Sequence, residues 1–201
     1  RLAKHFNPNL KLSLMIGGGA YSYPKDYLKR FGGARLDVVE IDERLTALAR
    51  RYFNFQDSPR LTIYNEDGRV FLNKTAGKYD VIFIDAFASF FSLPYQLTTE
   101  EAVRKMADAL NDDGTVMVNI VSSLEGESGE FLRAEYLTYR KVFPQVYLFP
   151  VDNPDDGSAI QNVILVALKS GAPASFTNAD KELNGYLKHL FTKEIKTDKP
   201  V

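Results

Sequence analysis

Four short groups of residues, spaced along the first half of the chain, could together do chemistry. Gly17-Gly18-Gly19 lacks three successive Cβ atoms, so a ligand can lie against bare backbone and a positive φ carries no penalty. Glu40 stands 21 residues beyond Gly19, at the end of an apolar run, where its carboxylate can accept from both hydroxyls of a ribose. Ile41 follows and can pack on the face of an adenine. Asp67-Gly68 offers an acceptor for an adenine amino group, and Asp85 a carboxylate for the reactive end of a ligand. Each piece alone has an ordinary explanation, since glycines make turns and an Asp after a strand often caps the next helix. Taken in this order, the four describe a nucleoside-binding site.

Such a site needs elements that bring the four groups to one edge. Residues 10–16, 35–40, 61–64 and 79–84 read as strands, and each chemical group follows directly on one of them. Helical segments are expected at 24–31, 43–53 and 69–74, the second through the spacing of Leu45, Leu48, Ala49 and Tyr52. Thr98 is expected to cap a helix reaching residue 110, with Glu101 completing a capping box. A turn at 111–114 leads into a fifth strand at 115–121, followed by a helix at 130–142. Strands at 145–149 and 159–168 lie too close in sequence for a helix between them and should form an antiparallel hairpin. A last helix is expected at 178–190. Strands alternating with helices imply a mostly parallel sheet covered on both faces. With the terminal hairpin, the expected fold is α/β: a Rossmann-like, seven-stranded sheet of class I methyltransferase topology. Ligands of open α/β sheets bind beyond the carboxyl ends of the strands, where all four groups fall.

Length and composition fit that reading. The chain has 201 residues, with 45% hydrophobic and 25% charged residues and a net charge of −1. One domain over 1–192 with a loose tail over 193–201 is expected. No basic field favours nucleic acid. The absence of cysteine excludes disulfides, thiolate metal sites and Cys nucleophiles. His5 and His189 stand far apart without further ligands nearby, so no metal is expected. No apolar run approaches the ~20 residues that span a bilayer, and the expected location is the cytoplasm. The chain begins with Arg1, which fits the soluble domain of a longer, membrane-attached protein with an upstream segment. A P-loop is excluded because no G-K-[ST] follows the glycines. Ser22 could stand for the third small residue of a dinucleotide turn, but the hairpin and the position of Asp67 argue against NAD.

At this point the sequence resembles a known family. I-G-G-G at 16–19, V-E-I-D at 39–42, E-D-G-R-x-F-L at 66–72, Y-D-V-I at 79–82 and Asp85 are similar to the spermidine synthases, which are aminopropyltransferases. The similarity covers roughly residues 10–168. G-G-G-A-Y-S-Y-P followed by V-E-I-D and I-D-A-F is closer to the spermidine synthase-like proteins. The resemblance implies that Gly17 and Gly19 line the nucleoside, Glu40 binds ribose, and Asp67 and Gly68 contact adenine. It places Asp85 near the reacting amine, as first Asp of the family's D-x-x-D loop. The second Asp of that loop falls at Ala88, and the run continues F-A-S-F-F-S-L-P, apolar where a diamine site wants acids. Pro150–Gly157 replaces a family segment that carries a Tyr.

The expected activity is transfer from a sulfonium nucleoside, S-adenosylmethionine or its decarboxylated form, used as co-substrate. Orientation of the reactants and deprotonation of the acceptor, with Asp85 as base or amine-positioning group, would carry the reaction. The resemblance implies aminopropyl transfer to a small-molecule amine. Methyl transfer to another small acceptor is the alternative within enzymes, and a non-catalytic nucleoside-binding or interaction domain the alternative outside them. Tyr21 and Tyr79 are candidate pocket residues, with packing the commoner role for such aromatics. Phe87, Phe90 and Phe91 read as core or lid. Sheet edges or the Phe-rich loop offer surfaces for a homodimer.

Overall fold

In the computed structural model, residues 1–87 and 93–195 are described. Chain order gives α1 (Leu2–Phe6), β1 (Leu12–Ile16), α2 (Ser22–Arg30), β2 (Arg35–Val39), α3 (Glu43–Tyr52), β3 (Leu61–Tyr64), α4 (Gly68–Lys74) and β4 (Tyr79–Ile84). There follow α5 (Glu100–Ala109), β5 (Leu110–Ser122), α6 (Glu130–Arg140), β6 (Gln145–Pro150), β7 (Gln161–Leu168) and α7 (Lys181–Leu187). The seven strands form one sheet in the order β3-β2-β1-β4-β5-β7-β6. Strands β1 to β5 run parallel, and β7 pairs antiparallel with both β5 and β6. The predicted hairpin is thus present, with β7 inserted between β5 and β6.

Alternation along the apolar strands sends successive side chains to opposite faces of the sheet. Leu14, Ile16, Ile82, Ile84, Val116 and Val118 pack with residues of α4, α5 and α6 such as Phe71, Met106 and Leu132. Met15, Val38, Val81, Phe83 and Met117 face the other layer, with Tyr27, Ala49 and Leu183 from the helices there. Both layers are apolar and closed, as a parallel sheet requires. Among the described residues no helix is long and apolar enough to cross a membrane.

Several local expectations are corrected. The cap of α5 is Thr99, whose hydroxyl accepts from Ala102 N at 3.2 Å. Thr98 closes a 3-10 turn instead, its hydroxyl donating to the Tyr95 carbonyl. Glu101 therefore falls one position short of a capping box. The stretch 111–114 is drawn into β5, whose ladder on β4 starts at Leu110 and shifts register between Tyr79 and Val81. Helix α7 ends at Leu187, and Phe191 N then donates to Leu148 O on the outer strand β6. Helix α1 was not expected.

Helix α3 differs in orientation. Its inward residues are Thr46 and Ala49, while Leu45, Leu48 and Tyr52 of the predicted apolar spacing stay partly exposed. The fully buried Tyr21 ring explains this, since it lies 4.3 Å from Phe55 and its hydroxyl bonds Thr46 Oγ1 at 2.7 Å. A helix that must close over a tyrosine, and bond its hydroxyl, presents small and hydroxylated residues to it.

Candidate functional site

The glycine turn is held by its neighbours on both sides. Gly17 N donates to Val39 O on β2, and Asp85 N donates to Ile16 O on β1, so the ladder continues one step past the strand ends. Gly17 has φ +95°, and a Cβ there would collide with the Asp85 carbonyl. Gly19 has φ +50° with open space around it. Tyr21 also has positive φ, at 56°, which costs a non-glycine residue energy that its burial offsets.

Glu40 is 5% exposed and turned into the loop. Its Oε2 accepts from Gly18 N at 2.8 Å and Gly19 N at 3.1 Å, and its Oε1 from Asp42 N at 3.0 Å. Of about four acceptor positions on a carboxylate, these bonds leave one, on Oε1. Glu40 is therefore first a clamp on the glycine turn, and the expectation of two free ribose contacts is reduced to one. Ile41, beside it, is 68% exposed.

Asp67 caps α4, its Oδ1 accepting from Arg69 N at 2.8 Å and Val70 N at 3.0 Å. Its Oδ2 takes a longer bond of 3.3 Å from Gln96 Nε2. Gly68 lets α4 approach β1, because a Cβ there would lie 2.5 Å from Ile16 Cγ2. Asp85 is exposed, and its Oδ1 accepts from Asn119 Nδ2 at 3.0 Å.

Sequence reasoning missed two of these partners, Gln96 and Asn119. Asn119 had a signal: it is the one polar residue of the run Val116–Val121, and the β4–β5 register pairs Ile84 with Val118, which sets Asn119 level with Asp85. Gln96 lies in a 3-10 turn with no pattern of its own. Tyr21 and Tyr79 are packing residues, the latter donating to Asp37 Oδ2 at 3.0 Å. Burial pushes the Tyr79 phenol well up from its usual value, so it stays protonated. Phe87 is partly exposed; Ala88, Phe90 and Phe91 lie outside the described residues. His5 and His189 join no metal cluster, and among the described residues no group of His, Asp and Glu could hold one.

The predicted residues come together as one row. Asp67, Glu40, Gly17–Gly19 and Asp85 end β3, β2, β1 and β4, four neighbours in the sheet. At about 4.8 Å between strands the row spans about 14 Å. Beside its Asp85 end opens a cleft of about 540 Å³, lined by Tyr23, Phe83, Met117, Asn119 and Ile164 among others. Asp85 is the one member of the row on that cleft. Burial raises the Tyr23 phenol far above its usual value, so it is a neutral wall.

Comparison with known proteins gives the chain a family and a fold. The profile of the "Spermine/spermidine synthase domain" family matches residues 1–171. A polyamine aminopropyltransferase of Vibrio vulnificus is 31% identical over 163 residues, covering 79% of this chain and 52% of that protein. A crystal structure of a spermidine synthase in complex with the transition-state analogue AdoDATO superposes with a TM-score of 0.75 at 25% identity, over 98% of this chain and 65% of that one. Human methyltransferase-like protein 13, solved with SAH, shares the fold at a TM-score of 0.74 and 21% identity, over 94% of this chain and 84% of that one. The chain spans about half the length of the curated relatives it matches.

Proposed function

The chain belongs to the spermine/spermidine synthase domain family, and on that premise we propose that it binds S-adenosylmethionine or its decarboxylated form and, from the decarboxylated form, transfers an aminopropyl group to an amine, leaving methylthioadenosine. The row of Asp67, Glu40, Gly17–Gly19 and Asp85 along four adjacent strand ends carries this reading. The bound nucleoside supplies a sulfonium leaving group; the chain's own residues bind and orient. Gly17–Gly19 admit the ligand to the backbone, and the remaining acceptor position on Glu40 Oε1 takes one ribose hydroxyl. The exposed Ile41 side chain packs on the adenine face. Asp67 Oδ2 exchanges its long bond to Gln96 for the adenine amino group. At the other end of the row Asn119 holds Asp85 by one oxygen. The second oxygen, which bonds no described residue, accepts a proton from the acceptor amine and aims its lone pair for in-line attack.

A second reading, methyl transfer, is favoured by one observation. The cleft beside Asp85 is walled by Phe83, Met117 and Ile164, and among the described residues its only carboxylates are Asp26 and Asp85.

Calorimetry with methylthioadenosine, S-adenosylmethionine and decarboxylated S-adenosylmethionine tests the binding claim. At least one should bind, and Glu40→Gln should weaken it tenfold or more. If none binds, the nucleoside reading is wrong. Product analysis with putrescine and the decarboxylated donor tests aminopropyl transfer; methylated product from S-adenosylmethionine would replace it by the second reading. Binding without turnover, unaltered by Asp85→Asn, would make this an interaction domain.

A further inference from the structure

The cleft of about 540 Å³ beside Asp85 is built on one face of the sheet. Side chains alternate along a strand, so Phe83 of β4 shares a face with Asp85, and Met117 of β5 with Asn119. The ladders pair Phe83 with Met117 and Asn119 with Ile164 of β7. Tyr23 of α2 stands beside them in the wall, its ring 4.9 Å from that of Phe83. Leu2 and Val151 continue the apolar surface.

Charge in this wall is sparse and mostly paired. Of its two carboxylates among the described residues, Asp26 accepts on Oδ2 from Arg30 Nε, one turn along α2, at 2.5 Å. Arg1, also in the wall, pairs with Glu182. His189 holds its Nδ1–H on the Pro150 carbonyl at 3.0 Å. Neither His189 nor Asn162 is negative in any state. Asp85 remains: it makes no ion pair among the described residues, and Asn119 occupies only one of its oxygens. One carboxylate without a cation matches one ammonium group.

A second ammonium on the same molecule would exchange water for Tyr, Phe, Met and Ile side chains, beside two arginines, with no carboxylate of its own to meet. Taking an unpaired charge out of water is strongly unfavourable, whereas a methyl group in its place gains by leaving water. The volume falls within the range of small-molecule sites. Resting on the reading of Asp85 as the group that receives the acceptor, we infer that the cleft takes a primary amine with a single charge and an apolar body, an alkyl or arylalkyl monoamine, and disfavours diamines.

The test is calorimetry of the whole chain with matched amines, pentylamine against 1,4-diaminobutane and heptylamine against 1,6-diaminohexane, with and without methylthioadenosine. Within each pair a methyl group replaces one ammonium. The monoamine should bind at least tenfold more tightly, and Asp85→Asn should weaken both members. Arg30→Met, at an exposed position of α2, releases Asp26 and should narrow the gap severalfold. Val151→Asp adds a carboxylate at an exposed part of the wall, should act in the same direction, and serves if Arg30→Met does not fold. Equal or tighter binding of the diamines, no binding of any amine, indifference to Asp85→Asn, or a gap unchanged in the folded variants would overturn the proposal. Its failure is separable from that of the transfer reading. Pentylamine that binds more tightly than the diamine, yet gives no product with the decarboxylated donor, upholds the cleft's preference and ends only the transfer reading.

Discussion

At the scale of single residues, Glu40 shows how one side chain can serve structure and site together. Its carboxylate collects three backbone amides from two loops and thereby sets the path of the glycine turn. Glu135 shows the opposite case, a carboxyl with no visible use. It is 4% exposed on α6, its Oε2 has no partner, and burial raises its pKa to about 8. The native state thus keeps a proton that the unfolded chain releases near its ordinary carboxylate value. Its contribution to stability is whole below that value and is lost as pH rises towards 8. Glu135→Gln, which resembles the protonated form, should match the wild type near pH 4.5 and exceed it above pH 8 by on the order of 5 kcal/mol. Urea unfolding at several pH values reads this directly, and a gap that does not widen with pH would contradict it.

At the scale of elements, the caps and the faces of helices decide what the spacing of apolar residues leaves open. Thr99 begins α5 and also receives a bond from Arg69 Nη1 at 3.3 Å, tying α5 to α4. Thr99→Ala should therefore cost about 1 kcal/mol of stability, with Thr98→Ala close to neutral. A denaturant midpoint that moved more for Thr98→Ala would restore the capping box. In α3 the apolar spacing was legible and its direction was not. Leu45, Leu48 and Tyr52 lie on one side, but the sheet meets Thr46 and Ala49, because Tyr21 and Phe55 already fill the space above it. Helix α7 is shorter than its amphipathic pattern because Phe191 is better placed along β6 than in another turn of helix.

For the molecule as a whole, a nucleoside laid across the ends of β3, β2, β1 and β4 would tie strands distant in sequence. Ligand that binds only the folded state stabilises it by about 2.7 kcal/mol at a hundred times its dissociation constant. For a chain of this size that is a rise of roughly 5–10 °C in melting temperature. Such a shift should appear with whichever nucleoside binds in calorimetry and should shrink in Glu40→Gln protein. A binding ligand that left the melting temperature unchanged would mean that it binds the unfolded chain equally, away from this row.

The sequence by itself determined the order of elements from β1 onward, the parallel sheet, the hairpin at its end and the four strand ends at which the glycines and acids sit. These follow from short-range rules: apolar runs of strand length, glycines and acids after them, and too few residues for a helix before the last strand. Only the tertiary structure decided how the acids are spent. Glu40 gives three acceptor positions to backbone amides, Asp67 gives one oxygen to a helix cap, and Asp85 shares an oxygen with Asn119. It also decided which face of α3 turns inward and that Tyr23 meets Ile164 in one cleft wall. The Gly18 and Gly19 amides on Glu40, Gln96 on Asp67, Asn119 on Asp85 and the packing neighbours of α3 come from residues far apart in the chain, and local spacing holds no record of which of them will meet.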